Sequence, residues 1–210
     1  MVHTSDSPAL VARSLTCDRG GRRLFSGLDL ALHEGEALVL RGPNASGKSS
    51  LLRVLAGLLD PVDGVVLWQG RDTRENPGPW RRSLAYLGHG FALKPQLTVQ
   101  QNLSFWHAME HTEASVPEAL EQMGLLALAD LPASMLSAGQ QRRLAIARLA
   151  LRKGGCWLMD EPTVTLDARS LEGLCAMIED HRGRGGVVIL ATHEDLAVRA
   201  PATLTLGSQP

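Results

Sequence analysis

The first third of the chain carries short apolar runs that are typical of strands. Residues 9–15, 28–32 and 37–40 are predicted strands. After a glycine-rich turn, apolar residues predict a helix over Ser49 to Leu59, which Asp60-Pro61 would end because the residue before proline is disfavoured in the α region.

Turn-forming residues mark the boundaries of the next predicted elements. Asp63-Gly64 predicts a turn before a strand over 65–68. Residues 72–80 are polar and contain Pro77, Gly78 and Pro79, so they predict a loop.

Helical spacing dominates 98–151. Ser115 to Glu118 has the spacing of a capping box, with a proline inside its start, and a second helix is predicted over Gln141 to Arg152. The pattern then alternates again: Cys156 to Met159 is a buried-strand run, a helix stripe covers 171–178, and 187–191 is a second buried strand.

This order predicts an α/β protein. The strands at both ends with helices between them indicate one domain over 1–210, with a helical part at roughly 90–150 inserted in an α/β core. The length of 210 residues and the hydrophobic fraction of 44% suffice for one sizeable core.

Composition narrows the class of protein. A net charge of -1 gives no bulk electrostatic reason to expect nucleic acid as a partner. The three cysteines have no CxxC spacing, which argues against a disulfide framework or a zinc site. No apolar run approaches the roughly 18 residues that span a bilayer, and the first residues lack the apolar region of a signal peptide. We therefore expect a cytosolic chain whose membrane contact, if any, is peripheral and made through a partner.

Gly42 to Ser49 match the spacing GxxxxGK[ST], after a strand and at the start of a helix. Glycines let backbone N–H groups approach phosphate oxygens, and the helix N-terminus adds partial positive charge. Lys48 is predicted to reach the β and γ phosphates and Ser49 to ligate Mg²⁺. The alternative, a glycine-rich turn before an ordinary helix, is disfavoured by motif and context together. The predicted nucleotide-binding residues are Gly42, Pro43, Asn44, Ala45, Ser46, Gly47, Lys48, Ser49 and Ser50.

Two acids follow the buried strand that ends at Met159. At the open edge of a parallel sheet, Asp160 would lie beside the phosphates as a Mg²⁺ partner, and Glu161 would act as general base on the attacking water. His193 follows the last buried strand, where it would contact the γ-phosphate; a surface histidine is the alternative.

A second small-residue turn, Leu136 to Gln140, precedes the helix predicted from Gln141. It is either an ordinary N-cap or a second anion site. In the latter case, two phosphates bind per chain or two chains share one nucleotide.

In this order, the segments resemble the nucleotide-binding domain of ABC ATPases over nearly the whole chain. Gly42 to Ser49 is similar to Walker A, Asp160-Glu161 to Walker B with its catalytic glutamate, and His193 to the switch histidine. Asp167 lies in a segment similar to the D-loop. The signature LSGGQ corresponds to Leu136, Ser137, Ala138, Gly139 and Gln140, with Ala138 in place of a glycine.

The resemblance implies a phosphate-loop core with an antiparallel β subdomain and a helical signature subdomain. It also implies ATP and Mg²⁺ as cofactors, with Glu161, His193 and Lys48 as catalytic residues. Two subunits would face each other head to tail, each ATP lying between Walker A of one and the signature of the other. Ser137 and Gly139 would then contact the γ-phosphate in trans, which would account for the second anion site.

Further segments resemble the ATP-binding subunits of the cytochrome c biogenesis haem exporter: 86–89, 93–95, 102–106 and 136–143. The implied partners are a small integral membrane permease-like subunit and haem-handling membrane proteins. ATP hydrolysis would drive haem export or release a haem-loaded chaperone. The implied location is peripheral, on the cytoplasmic face of the inner (plasma) membrane.

Two positions depart from the general ABC pattern. His89 stands at the Q-loop position, where glutamine is usual, and this histidine favours the cytochrome c subfamily. Arg19 stands near the position of the aromatic that stacks on adenine, and its planar guanidinium can stack instead. Phe25, the nearest aromatic, is predicted to be core. His107 and His111, four residues apart on a predicted helix, are attributed to an amphipathic surface instead of a haem or metal site.

Three alternative functions fit the sequence less well. An ABC transporter ATPase with another cargo would be favoured by glutamine in place of His89. A soluble ABC ATPase acting on ribosomes or DNA usually has two ATPase units or a long coiled coil, whereas this chain has one Walker A motif and no sustained heptads. A regulatory module without turnover is disfavoured by the presence of Glu161 and His193.

Overall fold

The computed structural model describes residues 7–110, 114–152 and 154–207. Within these ranges, the chain forms two sheets and six α-helices. The strands are β1 (Leu10–Arg19), β2 (Arg22–Leu32), β3 (Ala37–Arg41), β4 (Asp63–Trp68), β5 (Arg71–Asp72), β6 (Leu84–Leu87), β7 (Cys156–Asp160), β8 (Val187–Ala191) and β9 (Ala202–Thr205). The helices are α1 (Lys48–Leu55), α2 (Pro77–Ser83), α3 (Val99–Glu110), α4 (Val116–Gln122), α5 (Ala138–Ala150) and α6 (Ala168–Gly183).

A five-stranded sheet organises the molecule. Its order is β6-β7-β8-β3-β9, and every paired neighbour within it is parallel. β7 and β8 are buried along their whole length, as expected for strands with both faces covered. One face packs against α3 to α6 and the other against α1 and the antiparallel sheet. The α/β prediction with helices inserted before β7 is confirmed.

The second sheet is antiparallel, in the order β2-β1-β4-β5. β1 and β2 form a hairpin around Gly20 and Gly21, whose positive φ values of 58° and 74° suit a two-residue turn. Both strands extend beyond the predicted runs, because pairing continues to the turn and an ion pair of 2.9 Å joins Arg23 to Asp18. The charged residues near the turn lack the apolar signal of a strand, so the sequence pattern did not predict this extension.

The first helix is shorter than predicted. It ends at Leu55, not Leu59. Gly57 adopts φ 70° and its N–H bonds to the Val54 carbonyl, so the left-handed glycine after the helix stops it before Asp60-Pro61.

The loop predicted over 72–80 was wrong in its second half, since α2 begins at Pro77. Proline is tolerated in a first helical turn, where its missing N–H costs nothing. Trp80 anchors this helix: it is buried, its ring lies 5.1 Å from that of Trp68, and its indole N–H donates to the Leu55 carbonyl.

The helix predicted from Gln141 begins three residues earlier, at Ala138. Ser137 is its N-cap and forms a reciprocal capping box with Gln140, which fixes the start. Strands β6 and β9 were not predicted; each has four residues, and β9 is an exposed edge strand with little apolar signal.

Candidate functional site

Four parallel strands end at one edge of the sheet, and each is followed by a predicted site residue. β3 leads to the phosphate loop, β7 to Glu161, β8 to His193 and β6 to His89. Because β6, β7, β8 and β3 are successive neighbours, their carboxyl ends bring these residues together.

The phosphate loop, residues 42–49, has a backbone that requires glycine. Gly42 has φ 136°, and a Cβ there would clash with the Leu206 carbonyl oxygen. Gly47, the N-cap of α1, has φ 104°, and no side chain caps the helix. The first N–H groups of α1 are therefore available for an anion. Phe25 packs under the loop and is buried, as predicted.

Lys48 lies across this loop. Its ammonium donates to the carbonyl oxygens of Gly42 at 2.7 Å and Pro43 at 3.2 Å, and lies 3.3 Å from Nε2 of His193. The residue is 7% exposed. A buried ammonium held only by carbonyl and imidazole acceptors is poised to bind a phosphate oxygen.

Asp160 and Ser49 form the candidate metal site. The Ser49 hydroxyl donates to Oδ1 of Asp160 at 3.0 Å. Oδ2 of Asp160 is buried and accepts no hydrogen bond in the described part of the chain, while Nδ1 of His89 lies 3.8 Å away. An unpaired buried carboxylate oxygen beside a hydroxyl suits a hard cation such as Mg²⁺.

Glu161 is held in an unusual backbone conformation. Its φ is 49°, in the left-handed region that a non-glycine residue seldom adopts, and its N–H donates to the Ala191 carbonyl at 2.9 Å. Oε1 lies 3.5 Å from Nε2 of His193. The carboxylate and the imidazole therefore face the same space, next to Lys48.

A cavity of about 660 Å³ lies over the phosphate loop. Residues 44–50, His89 and Glu161 line it, together with Arg19, Arg22 and Leu24 of the β1–β2 hairpin. Arg19 is exposed there.

The predicted signature lies elsewhere. Residues 137–140 are not among the described residues that line the cavity. Ser137 is exposed; its hydroxyl accepts from the Gln140 N–H at 3.3 Å, which leaves its own hydrogen free to donate. The Gln140 side chain accepts from the Ser137 N–H, and so acts within the cap.

The D-loop residues pack beside the signature. A Cβ at Gly139 would lie 2.9 Å from the Thr165 carbonyl oxygen. Asp167 is exposed and caps α6 by accepting from the Ser170 N–H at 2.8 Å, and these bonds with Ser170 lower the pKa of its carboxyl group. Ala138 is exposed at the first position of α5.

The sequence analysis missed Arg142, which touches both acidic residues of the site. Its guanidinium donates to the carbonyl oxygens of Asp160 and Glu161, and the residue is 3% exposed. A signal existed: Arg142 stands at i of a helix face whose i+3, i+4 and i+7 positions are all apolar and buried.

Residues 25–164 match the family model described as ABC transporter. The phosphate loop, the acidic strand end and the signature helix define an ATPase of the ABC class, and the chain belongs to the ABC transporter family.

Within this family, its relatives are cytochrome c biogenesis ATP-binding export proteins named CcmA. The chain is 49% identical to the one from Paramagnetospirillum magneticum over 88% of each chain. It is 43% identical to the one from Escherichia coli K12, over 90% of this chain and 91% of the relative. The predicted resemblance is confirmed at both levels, and the chain is an ABC-type ATPase.

Solved structures agree with the fold. An ABC transporter ATP-binding protein from Pyrococcus furiosus superposes with a TM-score of 0.80 at 19% identity, over 94% of this chain and 96% of that one. A dimeric ATP-binding cassette in a post-hydrolysis state, bound to ADP and Pi, gives 0.76 at 26% identity over 88% of each chain.

The other residues considered are two histidines and the three cysteines. His107 lies on α3, and His111 lies outside the described residues. Cys17, Cys156 and Cys175 are free and buried, and burial raises the pKa of each thiol. Of the helices in the described ranges, none is both long and apolar enough to cross a bilayer.

Proposed function

We propose that this chain is the ATP-hydrolysing subunit of a membrane export complex for cytochrome c biogenesis. The observation that carries the chemistry is the convergence of Lys48, Ser49 and Glu161 on one cavity beside an uncapped helix N-terminus, with Asp160 accepting a hydrogen bond from Ser49. The assignment to cytochrome c biogenesis rests on relatives with that function in their names, which are 43–49% identical to the chain.

ATP binding begins at the phosphate loop. The free N–H groups of α1 bind phosphate oxygens, and the Lys48 ammonium exchanges its two carbonyl partners for the β and γ phosphates. The residues that bind are Gly42, Pro43, Asn44, Ala45, Ser46, Gly47, Lys48, Ser49 and Ser50, and Arg19 stacks on the adenine.

Ser49 and Asp160 would hold Mg²⁺ through the Ser49 hydroxyl and Oδ2 of Asp160, which is buried and accepts no hydrogen bond among the described residues. When bound, the ion neutralises charge that develops on the phosphates. His89, 3.8 Å from Oδ2, contacts this site through its imidazole and reports to the membrane partner the occupancy of the nucleotide site.

Glu161 takes a proton from the attacking water, because its carboxylate faces the cavity beyond the phosphate loop. His193 lies within 3.5 Å of Glu161 and 3.3 Å of Lys48, so it can donate to the γ-phosphate while orienting the carboxylate.

Two chains complete two sites. Among the described residues, the signature does not line the cavity, and Ser137 and Gly139 lie at a second helix N-terminus outside it. A head-to-tail homodimer would place the signature of one chain over the cavity of the other. Asp167 would lie at the contact between the chains, and the partner's nucleotide would be covered by Ser137, Ala138, Gly139 and Gln140. The dimeric cassette bound to ADP and Pi supports this arrangement.

The membrane partners are a small permease-like subunit and haem-handling proteins, with the ATPase peripheral on the cytoplasmic face of the inner membrane. Exposed Phe105 and Met109 on α3, with the Lys94 ammonium 4.5 Å from the Phe105 ring centre, offer an apolar surface for such a partner. Hydrolysis then drives haem export or the release of a haem-loaded chaperone.

Lys48→Ala tests the ATPase assignment. Removing the ammonium leaves the phosphate charge uncompensated, so turnover should fall by at least about a hundredfold. ATP hydrolysis of the purified protein is the measurement, with Lys94→Ala as a control that removes a lysine from a site remote from the cavity. Wild-type turnover in Lys48→Ala would refute the assigned phosphate loop.

Co-purification tests the partners. The tagged chain is isolated from gently solubilised membranes, and associated proteins are identified by mass spectrometry. Recovery of small haem-handling membrane proteins supports the proposal; recovery of an unrelated permease, or of the chain alone, refutes the role in cytochrome c biogenesis and leaves the ATPase assignment standing.

A further inference from the structure

Arg142 is a buried cation whose hydrogen-bond partners are all main chain. Its Nη2 donates to the Asp160 and Glu161 carbonyl oxygens at 2.8 and 2.5 Å, Nε to that of Pro162 at 3.3 Å, and Nη1 to that of Gly88 at 3.0 Å. Burial lowers the pKa of this guanidinium, and the Asp160 and Glu161 charges oppose that change.

These carbonyls belong to the two segments that carry catalytic side chains. Asp160 to Pro162 form the turn on which Glu161 sits at φ 49°, a conformation that needs support from its surroundings. Gly88 directly precedes His89, which lies over Asp160. One planar group with donors at fixed angles therefore sets the distance between both segments.

The same residue belongs to the signature helix. Arg142 lies five residues after Ser137, about 7.5 Å along the axis of α5. The helix is continuous between them and its start is fixed by the capping box. A shift of the helix N-terminus is thus transmitted to the carbonyl of Glu161 without any flexible segment between.

We propose that Arg142 is a positioning residue for ATP hydrolysis, which fixes the backbone that carries Glu161 and His89 to the helix whose N-terminus covers the partner subunit's nucleotide. The inference rests on the proposed function, since it assigns a second role to the signature helix. Closing of the helix on one nucleotide then sets the catalytic carboxylate of the chain's own site.

Arg142→Gln tests this, with Arg143→Gln as the matched control. Arg143 is the next residue on α5, and its guanidinium donates to the Met123 carbonyl instead of the carbonyls of Asp160 and Glu161. Arg142→Gln should bind ATP within about twofold of the wild-type affinity, because the phosphate loop is untouched, yet lose at least about tenfold in kcat. Arg143→Gln should change kcat by less than about twofold.

A second readout separates positioning from mere stability. With binding intact and hydrolysis slow, Arg142→Gln should accumulate an ATP-bound dimer in light scattering, and Arg142→Lys, which restores the charge but not the fork of donors, should give an intermediate kcat. Equal kcat in both Gln variants would overturn the inference, and so would a loss of ATP affinity that parallels the loss of kcat. An inactive wild-type protein would instead overturn the proposed function.

Discussion

His181 is a histidine that the fold keeps neutral. It is 3% exposed, its ring is stacked 3.9 Å from that of Trp157, and Nε2 has no hydrogen-bond partner among the described residues. Burial lowers its pKa from 6.5 to about 4. The unfolded chain therefore binds a proton more readily, and stability contributed above pH 6.5 is lost as the pH falls toward 4.

His181→Leu should reveal this dependence. At pH 7.5, the variant should be less stable than the wild type, because the packing on Trp157 is altered. Between pH 6.5 and 5, protonation of the unfolded wild type narrows the difference by about 2 kcal/mol. Urea unfolding at pH 7.5 and pH 5 measures it, with exposed His33→Leu as the control. A difference that is the same at both pH values would contradict a neutral buried histidine.

Single residues of the site were predictable where phosphate binding restricts which amino acid can stand at a position. Gly42 and Lys48 belong to a motif because phosphate binding needs close backbone approach and a cation, and the structure places Lys48 at the cavity and Gly42 at the start of the same loop. Arg142 was not predictable as a contact, since its partners are main-chain carbonyls from segments far along the chain, which have no side-chain signature.

At the scale of elements, the start of α5 explains why the signature tolerates Ala138. Ala138 is exposed, so there is room for its methyl group, whereas Gly139 faces the Thr165 carbonyl. Thr165 has φ 70°, and a segment already in the left-handed region has little freedom to move away. Position 138 therefore tolerates a methyl side chain, whereas position 139 requires glycine.

Ala138→Gly and Gly139→Ala form a matched pair. Ala138→Gly should change stability by less than about 1 kcal/mol and change turnover less than Gly139→Ala does. Gly139→Ala forces a Cβ to within 2.9 Å of the Thr165 oxygen and should cost about 1–3 kcal/mol, a thermal midpoint lower by several degrees, with reduced turnover. Thermal unfolding and ATPase assays decide, and equal effects of the two changes would refute this account of the signature.

Element boundaries were the least predictable part of the fold. Periodicity located β3, β7 and β8, because buried parallel strands are continuous apolar runs. Periodicity did not predict α2, because prolines are typical of loops. The segment forms a helix because that conformation buries Trp80. Such burial depends on the tertiary contact with Trp68, which no local pattern contains.

At the scale of the whole molecule, the proposed nucleotide site is divided between two surfaces of one chain. Lys48 and Glu161 line the cavity, and Ser137 is exposed outside it. In the proposed dimer, a second copy brings these two surfaces together. ATP would then bridge the two copies, so dimerisation should depend on the γ-phosphate.

Glu161→Gln isolates that assembly. The amide cannot take a proton from water but fills the same space, so ATP stays intact and the dimer should persist. In Mg-ATP, light scattering should give about twice the monomer mass of 22.6 kDa, and ADP should return the monomer. Adding Lys48→Ala should abolish the dimer, because the phosphate loop then no longer holds the nucleotide that bridges the chains. A Glu161→Gln protein that stays monomeric at saturating ATP would refute the shared site, since no later step remains to separate the chains.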